Sequence, residues 1–163
     1  RIYYNQGNFE NARNYFRKSL EIQPSNVDLG LIFSQCLSKT FRPENTSAIL
    51  DTMQMYRDKF PTLMEIQNFK AMLGTSYLLE FQNAYTQGKT DHGNNYQYLF
   101  EELMNNDSRL FVNYDVIGQA YSTASTYYFK RGQKTKAKEL VATGLKYAPG
   151  SYELRTRQQM LSR

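Results

Sequence analysis

The stretch that decides the fold is GQAYSTASTYYFKRGQKTKAKELVATGLKYAPG, residues 118–150. Ala120, Tyr121, Ala124 and Tyr128 recur at helical spacing before Lys130-Arg131-Gly132-Gln133. Ala137, Leu140, Val141, Gly144 and Leu145 recur at the same spacing after it, and Pro149-Gly150 ends the run. The pattern predicts a helix, a glycine-marked turn and a second helix, each with a narrow apolar stripe. Small residues at Ala124, Ser125, Ala137 and Gly144 let two helix backbones approach closely. One such pair cannot bury both stripes alone, so further copies are expected.

A copy stands at the start of the chain. Residues 7–24 align without a gap to residues 132–149. Gly7 falls on Gly132, Ala12 on Ala137, Phe16 on Val141, Ser19 on Gly144, Leu20 on Leu145 and Pro24 on Pro149. This resembles the second half of a tetratricopeptide repeat, whose signature is W-x2-L-G-x2-Y followed by A, F, A and P at fixed steps. Leu73-Gly74-Thr75-Ser76-Tyr77 carries the L-G-x2-Y core in a further unit, with Lys70 at the aromatic position and Phe69 beside it. Trp is absent from the chain, and Tyr121 is read as filling its position in the last unit.

The rest of the chain is parsed around these copies. Arg1 to Gln6 read as the end of a helix whose beginning is missing, so the chain reads as part of a larger protein. Asn26 is a plausible cap for a helix carrying Leu29, Phe33, Cys36 and Leu37. A break is expected at residues 41–45, then a helix capped by Thr46 or Ser47 and carrying Ala48, Thr52, Met55 and Tyr56. Residues 87–95 (QGKTDHGNN) read as a polar turn longer than the family's, with the return helix beginning at Tyr96. The fourth unit is given an early start at Leu110-Phe111. Ser151 caps a last helix with Leu154, Met160 and Leu161 as its apolar members. The resulting expectation is an all-α, right-handed α-solenoid of antiparallel helix pairs with about nine helices. It forms a single array over 1–163: a partial repeat at 1–24, divergent repeats at 26–61 and 62–108, a repeat at 110–150 and a capping helix at 151–163.

Composition narrows the function. No apolar run approaches the ~18 residues of a membrane helix. Net charge is +5, but residues 118–163 carry nine Lys and Arg against two Asp and Glu, while residues 1–117 carry eleven against thirteen. The basic excess belongs to the C-terminal end and suits a partner of acidic character. A basic run, Lys130, Arg131, Lys134, Lys136 and Lys138, surrounds the turn of the last pair.

Chemistry is sparse. Gly88-Lys89-Thr90 resembles the end of a phosphate loop, but Asn83 replaces the first glycine and a helix precedes it, so it reads as an ordinary polar turn. His92 lacks partner ligands and reads as a solvated loop residue; Cys36 reads as a buried core residue. Glu101 and Glu102 are adjacent on a helix and point apart, which disqualifies them as an acid/base pair. Asn45-Thr46-Ser47 and Asn106-Asp107-Ser108 fit the glycosylation pattern, which an Asn-rich chain produces by chance. No enzyme, cofactor, metal or small-molecule substrate is expected.

The family resemblance implies a groove lined by the first helices of successive pairs, which binds a peptide or partner protein. Carried over by alignment, its lining is Asp28, Leu31, Gln35 and Lys39 in the second unit and Gln119, Ser122, Thr126, Phe129 and Lys130 in the fourth. Ser38 adds to the second unit, Asn68, Ala71, Thr75, Leu78 and Leu79 come from the third, and Tyr4 and Asn5 from the partial repeat. Ser122 and Thr126 stand where the charged or amide residues of the family's chaperone-carboxylate clamp are expected, so that clamp is rejected. The implied function is a protein-interaction scaffold. Two alternatives stay open: a regulatory region packing against an effector domain outside this chain, and a nucleic-acid-binding helical repeat using the basic end.

Overall fold

The computed structural model describes residues 8–41 and 46–163, without the side chains of 46–48. The described residues form eight α-helices: α1 (Phe9–Ile22), α2 (Val27–Thr40), α3 (Thr46–Lys59), α4 (Gln67–Thr86), α5 (Thr90–Asn106), α6 (Tyr114–Lys130), α7 (Lys134–Tyr147) and α8 (Tyr152–Leu161). A 3-10 turn, Pro61–Glu65, joins α3 to α4. No strand occurs among the described residues. The expected helix over Arg1–Gln6, Gly7, the groove positions Tyr4 and Asn5, the break at 42–45, Asn45 and the capping side chains of Thr46 and Ser47 lie outside what is described.

Helix starts follow local chemistry. The side chains of Asn8, Asn26, Asn113 and Ser151 each accept a backbone N–H of the first turn, from Asn11, Leu29, Asp115 and Leu154 respectively. Such caps satisfy donors that a helix cannot satisfy internally. The stops are equally local. Gly132 at φ +75 and Gly88 at φ +73 adopt the left-handed conformation that ends a helix without a Cβ clash. Around Gly132, Gln133 N–H donates to Tyr128 C=O at 2.9 Å and Gly132 N–H to Phe129 C=O at 3.0 Å. Around Gly88, Lys89 N–H donates to Ala84 C=O at 2.8 Å and Gly88 N–H to Tyr85 C=O at 3.3 Å. The same six-to-one and five-to-two bonds close both turns.

That equivalence corrects the reading of residues 87–95. The turn is Gln87-Gly88-Lys89, and α5 begins at Thr90. Gly74, Tyr77, Gly88 and Gly93 match Gly118, Tyr121, Gly132 and Ala137 at one constant offset, so the third unit has the ordinary turn length. Thr, Asp, His, Gly and Asn are weak helix formers, which made the segment read as a turn. Tertiary packing overrides that preference: a Cβ on buried Gly93 would lie 2.6 Å from the Tyr85 ring. Asp91 in the first turn also complements the helix dipole. The early start at Leu110-Phe111 is likewise corrected. Leu110 and Val112 are buried, but the helix begins at Tyr114. The Trp position is therefore Tyr114, and Tyr121 closes Ile117-Gly118-Gln119-Ala120-Tyr121 as its Tyr.

Packing divides the chain into a first unit ending at Ser76 and a second starting at Tyr77, with α4 contributing to each. In the first unit, Ala12, Phe16 and Leu20 of α1 are buried, as are Phe33, Cys36 and Leu37 of α2. Phe33 meets Tyr56 edge-on at 5.1 Å between ring centres and Phe60 at 6.1 Å. The buried stripe of α3 is Leu50, Met53 and Tyr56; Thr52 and Met55, expected inside, face solvent. The two readings differ by a small rotation of the stripe, which Phe33 and Phe60 settle.

The second unit is built around Tyr121, fully buried between Phe81 at 5.1 Å and Phe100 at 6.4 Å. Its hydroxyl donates to Glu101 Oε2 at 2.9 Å, and burial pushes its phenol well above the ordinary range. Glu102 instead accepts from Tyr98, so the adjacent carboxylates do point apart. Ala120, Ala124, Ala137, Leu140, Val141 and Gly144 are buried as the helical pattern predicts; Leu145 is half-buried. Helix α8 packs on both α6 and α7. Leu154 and Leu161 are its buried members, whereas Met160 is exposed. His92 is a helical residue of α5, not a loop residue: its Nε2 lies 3.1 Å from Glu80 Oε1.

Candidate functional site

The second unit contains an open pocket of about 680 Å³. Its floor is the outer face of α6, where Ser122, Thr126 and Lys130 follow one another at helical steps. The end of α4 and its turn, Tyr85 to Gly88, form one wall. Glu153 and Arg157 of α8 form the opposite wall. Both ends are held firmly. The Tyr85 hydroxyl donates to Asn94 and lies 3.0 Å from the Tyr128 hydroxyl. Burial is the main cause that pushes the Tyr85 phenol far above its ordinary value.

Arg157 organises the α8 wall. Its Nε donates to Ser122 Oγ at 3.2 Å, and its Nη2 donates to Thr126 Oγ1. Its Nη1 is shielded from solvent and has no hydrogen-bond partner. Burial lowers the guanidinium's pKa, partly offset by the Glu153 carboxylate. The group remains charged, because guanidinium is not deprotonated in proteins. Arg131 lies 3.5 Å above the Tyr127 ring and donates to the Tyr127 carbonyl at 3.0 Å. This cation–π contact holds the exposed Arg131 guanidinium against the half-buried ring.

Of the residues expected in the groove, Ser122, Thr126 and Lys130 come together in this pocket. Gln119 and Phe129 are exposed on the same helix but are not in its walls. In the first unit, Asp28, Leu31 and Lys39 are exposed on α2, and Gln35 and Ser38 are half-buried. In α4, Asn68, Ala71, Thr75 and Leu79 are partly exposed, but Leu78 is fully buried and belongs to the core. The basic run is split. Lys130 and Arg131 line the pocket, Lys134 donates to the Arg163 backbone oxygen at 3.1 Å, and Lys136 lies 5.7 Å from the Tyr128 ring centre. Lys138 is exposed.

Arg157 and Glu153 were not legible as site residues. On the sequence they are two polar positions of a half-polar terminal helix. Nothing local marks an Arg whose partners lie more than thirty residues earlier. Among the described residues, no group of three or more His, Cys, Asp or Glu is placed to hold a metal. Among them too, no helix is long and apolar enough to cross a membrane.

Residues 1–26 match the family model of the tetratricopeptide repeat. The match covers 26 of the 163 residues and supports a tetratricopeptide repeat there. The all-helical fold of the described residues is consistent with a tetratricopeptide-like helical solenoid. Tetratricopeptide repeats mediate protein–protein interaction and generally serve as non-catalytic scaffolds. No curated protein and no solved structure matches the chain.

Proposed function

We propose that this tetratricopeptide-repeat chain is a non-enzymatic interaction module that holds a peptide or partner-protein segment against the first helices of its pairs. The observation that carries the reading is the face of α6. Ser122, Thr126 and Lys130 floor an open pocket, and Phe129 beside them is 43% exposed. An exposed aromatic next to a cation is the composition of a recognition surface. In the first unit, Asp28, Leu31, Gln35 and Lys39 take the equivalent role on α2. The basic C-terminal end favours a segment with acidic character.

The test is a pull-down with Phe129→Ala and Lys130→Glu in one variant. Loss of a partner with unchanged helicity is expected. Retention of every partner removes α6 as the binding face.

Nucleic acid is the weaker reading. Base stacking needs open aromatic faces, but Arg131 covers Tyr127 and Tyr128 is buried, which leaves Phe129 alone of the three. The basic run is also divided between the pocket and α7. Retention on a polyanion resin at low salt, lost steeply as salt rises, would reverse this preference.

A further inference from the structure

We propose that the pocket between α6, α8 and the end of α4 takes an acidic side chain of the bound segment, with Arg157 as its principal ligand. This rests on the interaction-module reading above and names the chemistry of one subsite within it.

Three observations converge on it. The pocket gathers three cationic side chains, Lys130, Arg131 and Arg157, against one carboxylate, Glu153. An open cleft lined mainly by one sign of charge concentrates the opposite charge. Secondly, the cations are not equivalent. Arg131 is engaged by the ring and carbonyl of Tyr127. Arg157 is held along one edge by Ser122 and Thr126, both neutral hydroxyls. Neither hydroxyl neutralises it, and the Glu153 carboxylate offsets its charge only in part. Thirdly, Arg157 is only half-buried and lines the open pocket, so a carboxylate there can reach the guanidinium and make a short, charge-assisted bond.

The hydroxyls also explain why the family-expected charged residues are absent from these two positions. Ser122 and Thr126 do not contact the ligand's charge themselves; they orient the guanidinium that does. Lys130, at the rim, adds a second and more mobile cation. Glu153 repels an incoming acid and sets a limit on affinity. A positioned fork of donors selects a carboxylate over an amide, because the amide presents an N–H to donors that need acceptors.

The test pans a random peptide library against the 163-residue chain, then measures one enriched peptide by fluorescence polarisation. An enriched motif with a fixed Asp or Glu is expected. Arg157→Gln should weaken that peptide roughly tenfold or more, and changing the peptide's acid to its amide should do the same. In the double change the two losses should not add, because one contact is removed twice. Glu153→Gln should tighten binding. If Arg157→Gln melts early, the same cycle run with Arg157→Lys, which keeps the charge but loses the fork of donors, decides the matter.

Enrichment of peptides with no fixed acid overturns the acidic subsite and leaves the interaction module standing. Additive losses overturn Arg157 as the ligand. Failure to enrich any peptide overturns the module itself.

Discussion

The hydroxyl of Ser125 on α6 donates to the backbone carbonyl of Ala137 on α7 at 3.0 Å, with Ser125 fully buried. The bond is possible only because both residues are small enough for the two backbones to come together. Ser125→Ala keeps the close approach and removes the bond. It should cost about 1 kcal/mol, read from urea unfolding with an unchanged slope. Ser125→Leu forces the helices apart and should cost more, roughly 1–3 kcal/mol.

Gly144 marks the place where α7 meets both neighbours. A Cβ there would lie 2.7 Å from Leu154 Cδ1 and 2.8 Å from Tyr121 Cβ. Tyr121 is the centre of the unit and cannot move aside. Gly144→Ala should lower stability by about 1 kcal/mol or more despite its better helix propensity, and Gly144→Leu by roughly 1–3 kcal/mol. An unchanged melting temperature for Gly144→Leu would mean that α7 does not pack against Tyr121.

Gly132 tests the backbone alone. No atom lies within 4 Å of the Cβ that Ala would add, so any loss reports its φ of +75. Gly132→Ala should cost about 1–2 kcal/mol. Gly132→Asn should cost less, since Asn tolerates the left-handed region. Thermal melts of the two variants side by side would show the order.

Tyr85 and Tyr121 give the protein an alkaline limit. Both phenols are pushed up in the folded state, chiefly by burial. The folded state therefore holds these protons more tightly than the unfolded state, whose tyrosines titrate near pH 10. Stability from this source is intact below about pH 10 and declines as pH rises above it. Absorbance at 295 nm should show the two buried phenols ionising only as helicity is lost. Tyr85→Phe should remove part of the alkaline decline. It should also lower stability at neutral pH by about 1 kcal/mol, because Asn94 and Tyr128 lose their shared partner.

The sequence by itself determined the helical class, the pairing over residues 118–150 and the small residues at the pair's contact. Periodicity, caps and glycine stops are local signals, written within a turn or two of where they act. It determined equally that Cys36 is buried and that Glu101 and Glu102 do not work together. Where local preference and packing disagreed, the sequence misled. Residues 90–95 look like a turn and are helical because Gly93 makes room for Tyr85. Met55 and Met160 look apolar and buried but lie on the outside of their helices, since hydrophobicity alone does not fix which face a neighbour covers. Only the tertiary structure decided the pocket. Ser122 and Thr126 were legible as positions on a face. What occupies that face is Arg157, brought there by the packing of α8 on α6, and no pattern in the chain couples residues so far apart.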